Sequence, residues 1–470
     1  KLTPARRFNR FSRVAVSMST PMKLSLMETI LEGVREGMLR SGVLLCALPG
    51  LPRIGLTRFE ARHFEDFTWR TLFSKSLAAG DFQLVARANH RVCSVPWQTM
   101  HTVGTSTRLV WSHAVYPRLD TRGIDVFISQ TPYPGRLDRR TALVVRYHDT
   151  IPIFMPHTIS DRARHQAAHF NALEANVRHG GYFACVSEAT RSSLLGMYPR
   201  LEERCVTIHN MLSPHYFAEE SDARRVPDII RSRLYADFED ETRQYGLVPS
   251  FLTLRERDTF YERNLRGPGL KYLLVVSTVE PRKNHARVVA AWELLKATVD
   301  PSIKLVLVGT LGWEYGTLLK QLRSWIDRGE VFMLNAVPAP DLRILYRHAA
   351  ATICPSLGEG FDFSGAEAMR CGGIAIASDI PAHREVYSDA AEYFDPYSTP
   401  GLAHALTRVL YGDAAEPVAR GMRERGAEVS ARYQAERIAP KWHEFLERVA
   451  RKPRALFEEP TQPDPQTEAT

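Results

Sequence analysis

Two glutamates separated by seven residues are the first candidates for chemistry in this sequence. Glu359 and Glu367 lie in CPSLGEGFDFSGAEAMRCGG (354–373), where an apolar run ends at Pro355 and a helical pattern begins near Ser364. One carboxylate therefore falls on a loop and the other in the first helical turn. Each can accept hydrogen bonds from a pair of hydroxyls, such as those of a sugar or a ribose. The N-terminus of the helix also offers backbone N–H groups to an anion such as a diphosphate.

Glu367 also has a structural interpretation. Ser364-Gly-Ala-Glu367 has the spacing of a capping box, in which the serine caps the helix and the glutamate returns the hydrogen bond. Glu359, which stands between Gly358 and Gly360, has a weaker structural explanation. The sequence leaves both a helix cap and a ligand contact open for Glu367.

A pair of adjacent cations follows another apolar run. Arg282 and Lys283 lie in TVEPRKN (278–284), between the run KYLLVVS and a helical pattern that begins at about His285. Cations oppose the dipole at a helix N-terminus, so two merely solvated side chains are a poor explanation for this position. A diphosphate would match the fork of donors on the arginine and the point charge on the lysine.

A histidine and an aspartate close a third apolar run. His148 and Asp149 follow ALVVRY (142–147) in the stretch RYHDTIP. A histidine at the carboxyl end of a strand would face a cleft between two domains. A local turn or a hydrogen bond in the core is the competing explanation for this pair.

These candidates lie at the ends of apolar runs that alternate with helical patterns. In the second half of the chain the runs are KYLLVVS, KLVLVG, VFMLNAV, AATICPS and GIAIAS, and this alternation predicts a doubly wound parallel sheet. The runs RVAVSM, GVLLCAL, DVFIS, ALVVRY and YFACVS predict strands of a second α/β domain in the first half. We predict an N-terminal Rossmann-like domain at 1–212, an interdomain helical insertion or linker at 213–269, a second α/β domain at 270–425, C-terminal helices at 426–452 and a disordered tail at 453–470.

Composition limits the class of protein. The chain has 470 residues, 44% of them apolar and 24% charged, which is typical of a globular protein of two or three domains. No apolar stretch approaches the roughly 18 residues needed to span a bilayer, and no secretory signal is visible. The six cysteines form no C-x-x-C pair, which favours buried thiols in a reducing cytoplasm.

The charge of the chain is uneven. Residues 1–212 contain 28 Lys and Arg against 16 Asp and Glu, a net charge of +12, whereas the remainder carries −4. Nucleic acid, anionic lipid headgroups and a phosphate-bearing acceptor would all suit a basic first half. The arginines lack the interleaved aromatic residues of a stacking platform for bases, so we expect no nucleic acid.

An anionic membrane surface is a further candidate partner of the basic half. A cluster of arginines and aromatic residues near the N-terminus could bind lipid phosphate while its aromatic rings insert. A basic terminus that merely aids solubility explains the same residues. The cluster consists of Arg6, Arg7, Phe8, Arg10, Phe11 and Arg13.

Taken together, these segments resemble the retaining GT-B glycosyltransferases of family 4, over about residues 120–212 and 270–410. The E-x7-E element of the family matches Glu359 and Glu367, and its basic pair matches Arg282 and Lys283. Its HDxxP element matches the stretch that begins at His148. Its VSExT element is similar to VSEAT (186–190), and the turn that ends its first domain is similar to IHN (208–210).

The resemblance implies a role for each candidate residue. Glu367 would hold the ribose hydroxyls and Glu359 would contact the donor sugar. Arg282 and Lys283 would stabilise the departing diphosphate, and His148 would lie beside the transferred sugar and the acceptor. Backbone N–H groups of the loop would bind sugar and phosphate. The implied donor-binding set is Gly360, Phe361, Asp362, Phe363, Ser364 and Glu367, and the implied acceptor-side set is Asp149, Ser187 and Asn210.

The resemblance also implies the fold and the activity. It implies two Rossmann-like domains facing a central cleft, with 1–212 on the acceptor side, 270–425 binding the nucleotide sugar, and C-terminal helices returning to the first domain. It implies a retaining transferase that moves a hexose to a lipid-linked or polysaccharide acceptor in surface glycan synthesis, with mannose from GDP-mannose as the first choice. It implies no cofactor and no metal, and the sequence contains no Asp-x-Asp. The expected location is the cytoplasm, at the inner face of the cell membrane.

Other interpretations remain open from the sequence. Another GT-B enzyme, either a phosphorylase or a nucleotide-sugar epimerase, is one of them, although no lysine is marked as the cofactor residue that a phosphorylase needs. A catalytically inactive binding module and a basic nucleic-acid-binding protein are the others. Two positions depart from the family pattern, because Asp362 replaces a glycine beside the sugar site and Thr278 stands where many members have an arginine.

Overall fold

The computed structural model describes residues 3–18, 25–47, 53–74, 77, 79–235, 245–265 and 269–451. The tail predicted at 453–470 lies outside the described residues, and so does part of the insertion predicted at 213–269.

The strands are short and mostly buried. They are β1 (Ile54–Phe59), β2 (His90–Cys93), β3 (Leu119–Asp120), β4 (Val126–Ser129), β5 (Ala142–Tyr147), β6 (Tyr182–Cys185), β7 (Cys205–Thr207), β8 (Tyr272–Val276), β9 (Lys304–Val308), β10 (Val331–Leu334), β11 (Ala351–Cys354), β12 (Ala375–Ser378) and β13 (Ala391–Phe394).

The helices alternate with the strands. Those before β8 are α1 (Pro4–Ser17), α2 (Leu26–Leu45), α3 (Glu65–Thr68), α4 (Phe82–Ala86), α5 (Trp97–Ser106), α6 (Ile151–Phe154), α7 (Arg162–Arg178), α8 (Glu188–Met197), α9 (Arg225–Ser232) and α10 (Leu254–Asn264). Those after it are α11 (His285–Thr298), α12 (Gly316–Asp327), α13 (Ala339–His348), α14 (Phe363–Arg370), α15 (Pro381–Tyr387), α16 (Thr399–Leu410), α17 (Ala415–Ala431) and α18 (Ala435–Arg451).

The second half of the chain forms a six-stranded parallel sheet in the order β10-β9-β8-β11-β12-β13. Its central strands are buried on both faces, as the continuous apolar runs predict. Trp292 of α11 is fully buried against this sheet, and its indole N–H donates to the Ile303 carbonyl oxygen at 3.0 Å. The doubly wound α/β prediction is confirmed for this half.

Two smaller sheets precede it along the chain. One has the order β4-β5-β6-β7, and its β4–β5 pair is parallel. The runs DVFIS, ALVVRY and YFACVS supply its first three strands, as predicted. The other sheet has the order β2-β1-β3, with β2 antiparallel and β3 parallel to β1.

Two predicted strands are wrong. Residues 13–17 of RVAVSM complete α1, and residues 42–45 of GVLLCAL complete α2. Helix α2 begins with a capping box between Ser25 and Glu28, and this start signal fixes a helix that runs on through the apolar segment. A short apolar run is compatible with either element, so the start of the helix decides the outcome.

The chain divides into two compact units, Lys1–Arg146 with Ala167–Phe183 and Leu446–Thr470, and Tyr147–Gln166 with Ala184–Phe445. Within the second unit, α9 and α10 pack on the six-stranded sheet through Val226, Ile230 and Tyr261. The described part of the predicted insertion therefore belongs to the core of this unit, while the predicted boundaries remain predictions. In the part of the chain that the structure describes, no helix is long and apolar enough to cross a membrane.

Candidate functional site

Arg282, Lys283 and Glu359 lie close together at the carboxyl ends of the central strands of the six-stranded sheet. Strands β8 and β11 are parallel neighbours, so the turn after β8 and the loop after β11 emerge side by side. Asn284, in the left-handed conformation with φ of 53°, donates from its side-chain amide to the Pro355 carbonyl oxygen at 3.1 Å. The Leu357 N–H donates to the Arg282 carbonyl oxygen at 2.9 Å. These bonds hold the turn with the cations against the loop with Glu359.

The cations and Glu359 form one buried ionic cluster. The Glu359 Oε1 atom lies 2.5 Å from the Lys283 Nζ atom and 2.6 Å from a terminal nitrogen of Arg282. The other terminal nitrogen of Arg282 lies 2.8 Å from the Glu280 Oε1 atom. All four side chains are at most 15% exposed. Opposite charges brought this close in a poorly solvated place interact strongly.

Charge partners outweigh burial in this cluster. Burial alone would raise the pKa of Glu359, but the Lys283 and Arg282 charges lower it below its ordinary value. Burial alone would lower the pKa of Lys283, but the Glu359 and Asp362 charges raise it. The cluster is therefore ionised at neutral pH, with two cations held by carboxylates of the protein.

The loop after β11 requires glycine at position 360. A Cβ atom on Gly360 would lie 1.7 Å from the His148 carbonyl oxygen. The His148 side chain is exposed, and its carbonyl oxygen also accepts from the Thr190 hydroxyl at 3.4 Å. The structure thus brings the predicted histidine and the loop after β11 into direct contact through their backbones.

Asp362 caps the helix that follows. It has a φ of 63°, and its Oδ1 atom accepts from the Ser364 N–H at 3.1 Å and from the Ser364 hydroxyl at 2.8 Å. Its Oδ2 atom lies 3.1 Å from the Nε2 atom of the fully buried His383. Burial raises the pKa of Asp362, but the Lys283 charge and the His383 hydrogen bond lower it far below its ordinary value.

The capping-box interpretation of Ser364 and Glu367 is therefore wrong. Asp362 is the cap, two residues earlier, because its short carboxylate reaches the Ser364 N–H in the first turn of α14. The Gly365 N–H is used as well, since it donates to the Tyr387 hydroxyl at 3.3 Å. Two of the N–H groups expected to receive an anion are thus bonded within the protein.

Glu367 has no capping role and is the fifth residue of α14, just beyond the first turn in which the sequence placed it. Its Oε2 atom accepts a hydrogen bond of 3.0 Å from the Tyr346 hydroxyl. Burial raises the pKa of Glu367 to about 8, the Asp362 charge acts in the same direction, and the Tyr346 hydrogen bond opposes them. A carboxyl whose pKa is raised this far by burial is typical of a functional site.

The predicted acceptor-side residues Asp149, Ser187 and Asn210 differ in burial and in hydrogen bonding. The Asp149 Oδ1 atom accepts from the Ile151 N–H at 2.9 Å, and burial raises the pKa of Asp149. Ser187 is buried and caps α8 by accepting from the Thr190 N–H at 3.1 Å. Asn210 is half-buried after β7. Their predicted acceptor-side roles stay predictions.

The two phenylalanines of the loop differ in exposure. Phe361 is buried, and its ring centroid lies 5.1 Å from that of Tyr433. Phe363 is 42% exposed, so its ring is available to a ligand.

Three residues of this site were missed from the sequence. Glu280 stands in the same turn as the cations, and its position before Pro281 was the available signal. Tyr346 and His383 lie on α13 and α15, and no local pattern connects them to Glu367 or Asp362. Within the described ranges, no group of three or more His, Cys, Asp or Glu could hold a metal ion. The chemistry available to these residues is stabilisation of an anionic leaving group by Arg282 and Lys283.

The family model and the relatives that match this chain agree with one another. Residues 256–428 match the family described as Glycosyl transferases group 1. O-antigen chain mannosyltransferase B of Escherichia coli is 32% identical over 290 residues, which cover 61% of this chain and 65% of that protein. O-antigen chain mannosyltransferase RfbU of Salmonella typhimurium is 32% identical over 139 residues, which cover 29% of this chain and 38% of that protein. The chain thus spans less than two thirds of the length of these relatives.

Solved structures give a consistent fold. Sucrose-phosphate synthase from Thermosynechococcus elongatus has a TM-score of 0.53 at 15% identity, over 76% of this chain and 80% of that chain. Anabaena Alr3699/HepE in complex with UDP-glucose has a TM-score of 0.52 at 16% identity, over 83% of this chain and 94% of that chain. Both similarities concern the fold alone, and they confirm the predicted GT-B class.

Proposed function

Because residues 256–428 match the family described as Glycosyl transferases group 1, we propose that this chain transfers a hexose from a nucleotide sugar to a glycan or lipid-linked acceptor without a bound metal. The buried cluster of Arg282, Lys283 and Glu359 carries this proposal, because it places two cations at the edge of the sheet where a donor binds in this architecture. The transfer retains the configuration at the anomeric carbon, as the resemblance implies.

Each residue has a part in the proposed reaction. Arg282 and Lys283 stabilise the negative charge that develops on the leaving diphosphate, which is the task that a metal ion performs in other transferases. Glu359 accepts hydrogen bonds from the donor sugar, and Glu367 accepts them from the ribose. His148 borders the transferred sugar and the acceptor, since its carbonyl oxygen contacts the loop at Gly360.

Mannose from GDP-mannose is the proposed donor. The O-antigen relatives are named as mannosyltransferases, which supports mannose and a surface polysaccharide as the product. A structure of similar fold was solved with UDP-glucose, so a uridine nucleotide is the competing choice.

A donor panel tests the proposal. We expect calorimetric titration with GDP-mannose, UDP-glucose and a dTDP-sugar to give one clear binder, GDP-mannose, and we expect mannose transfer to an acceptor extract to survive an excess of chelator. Lys283→Ala should lower transfer about a hundredfold or more, as expected when a group that stabilises the transition state is lost. Absence of binding by every donor would reject the transferase activity, and loss of transfer with chelator, restored by manganese, would reject metal independence.

The proposed setting is the cytoplasm, at the inner face of the cell membrane. All six cysteines are free, and four of them are buried, which suits a reducing compartment. The proposed lipid-linked acceptor and the basic first half of the chain both suit an anionic membrane surface. Nucleic acid is not part of the proposal.

A further inference from the structure

The Glu367 carboxylate is held from one side only. Its Oε2 atom accepts from the Tyr346 hydroxyl at 3.0 Å, and no other hydrogen bond to this carboxylate occurs within the described residues. Glu367 is half-buried, so the carboxylate is constrained without being sealed from a ligand.

Tyr346 is a fully buried residue of α13, and a buried phenol needs a hydrogen-bond acceptor. A backbone carbonyl would have satisfied it, as happens to Tyr272, whose hydroxyl donates to the Leu345 carbonyl oxygen at 2.7 Å. The Tyr346 hydroxyl has one proton to donate, and it is directed at one oxygen of Glu367. The other oxygen of that carboxylate is left to accept.

We propose that Tyr346 is a positioning residue for the donor nucleotide, holding one oxygen of Glu367 so that the other accepts a ribose hydroxyl. This inference rests on the proposed function, in which Glu367 binds the ribose. Tyr346 itself does not touch the nucleotide. It acts by fixing the orientation of a carboxylate that otherwise rotates about its terminal bonds.

The charge of Glu367 provides a second readout. The titratable groups around it are the Tyr346 and Tyr216 phenols, the Asp362 carboxylate and the Cys371 thiol. Burial raises the pKa of Glu367 to about 8, so the carboxyl of the free protein is mostly protonated at pH 7. Ribose hydroxyls donate more strongly to the ionised form, so nucleotide binding should release a proton near pH 7 and strengthen as the pH rises through about 8.

The test compares Tyr346→Phe with Tyr272→Phe. Each variant loses one buried phenol hydrogen bond of similar length beside the same helix, but Tyr272 does not contact Glu367. GDP, UDP and the 2′-deoxy and 3′-deoxy forms of each are titrated calorimetrically between pH 6 and 9, in buffers of different ionisation enthalpy, and thermal unfolding checks that each variant is folded.

We expect the wild type to prefer a ribonucleotide over its deoxy form by roughly tenfold, as expected for one hydrogen bond to a charged group. Tyr346→Phe should lose most of this preference, raise KM for the donor by about three- to tenfold with kcat nearly unchanged, and move the midpoint of the pH dependence upward. The upward shift follows because the Tyr346 hydrogen bond lowers the pKa of Glu367. Tyr272→Phe should keep the preference and the midpoint of the wild type.

Glu367→Gln separates this inference from the proposed function. If Glu367→Gln weakens binding and ends proton release while Tyr346→Phe behaves as the wild type, the positioning role is wrong and the donor site stands. Equal effects of Tyr346→Phe and Tyr272→Phe would also reject the positioning role, because general packing would then explain both. If Glu367→Gln leaves binding unchanged, the assignment of the donor site is itself wrong.

Discussion

At the scale of single residues, Glu359 already occupies the place where a diphosphate would meet its cations. One of its oxygens lies within 2.6 Å of both Arg282 and Lys283. A diphosphate that approaches these cations competes with a carboxylate of the protein, and Glu359 must turn toward the sugar as the diphosphate takes its place. We therefore predict that the same residue weakens nucleotide binding and assists turnover.

Glu359→Gln should separate these two effects. Removing the negative charge frees Lys283 and one terminal nitrogen of Arg282 for the ligand, so we expect GDP or UDP to bind on the order of tenfold more tightly while kcat for transfer falls. A buried pair of cations without its carboxylate is also costly, so the free variant should unfold at a lower temperature and gain more from nucleotide than the wild type does. Calorimetric titration, steady-state kinetics and thermal unfolding measure the three quantities.

Glu385→Gln is the matched control for this variant. Glu385 is also a part-buried carboxylate, 2.7 Å from the His209 Nε2 atom, but it lies outside the cluster. The Glu385→Gln variant should bind nucleotide with the affinity of the wild type. Weaker or equal nucleotide binding by Glu359→Gln would show that the carboxylate does not compete with the diphosphate.

At the scale of elements, the loop between β11 and α14 depends on a backbone contact. Gly360→Ala would place a methyl group 1.7 Å from the His148 carbonyl oxygen, so the loop has to move away from His148. We expect a loss of about 2 kcal/mol or more in the free energy of unfolding and a fall in transfer activity, because Glu359 moves with the loop. Chemical denaturation and the transfer assay measure these effects.

Gly33→Ala is the matched control at this scale. Gly33 lies inside α2, and a Cβ atom there would meet nothing within 4 Å. Alanine favours a helix, so this variant should be as stable as the wild type or more stable by about 0.5–1 kcal/mol. If Gly360→Ala is as stable and active as this control, the close approach of Gly360 to the His148 carbonyl oxygen affects neither stability nor activity.

The strands and helices also show how much of the fold could be predicted from the sequence. The parallel sheet and the position of the loop after β11 were predictable, because buried runs ended by turns specify strands, and the loops that follow neighbouring parallel strands lie at the same end of the sheet. The cap of α14 is Asp362 rather than Ser364, because the helix already begins at Phe363 and the Asp362 carboxylate accepts from the Ser364 N–H. Its bond to His383, 21 residues later, depends on tertiary packing, which no local spacing reveals.

At the scale of the whole molecule, part of the excess positive charge of residues 1–212 lies on helix α1. Helix α1 has no acidic residue, and Arg6, Arg7 and Arg13 are exposed on it. The prediction that both nearby aromatic rings insert into lipid is wrong for Phe11, because it is 4% exposed and its ring packs on that of Phe59 at 5.7 Å. Exposed apolar side chains lie instead on α2, namely Leu26, Met27, Ile30, Leu31, Val34 and Met38.

Binding to anionic membranes should therefore need charge from α1 and apolar contact from α2. Each basic residue near an anionic surface contributes roughly 1 kcal/mol, so a handful of arginines suffices for reversible binding, and salt should weaken it. In co-sedimentation with vesicles containing phosphatidylglycerol, replacing Arg6, Arg7 and Arg13 with alanine should abolish most binding, and Ile30→Gln with Met38→Gln should reduce it further. Alanine at Arg255, Arg263 and Arg420, which are exposed in the other unit, removes the same charge and should leave binding intact. Equal sedimentation with neutral and anionic vesicles, or equal losses in the two arginine triples, would show that α1 has no such role.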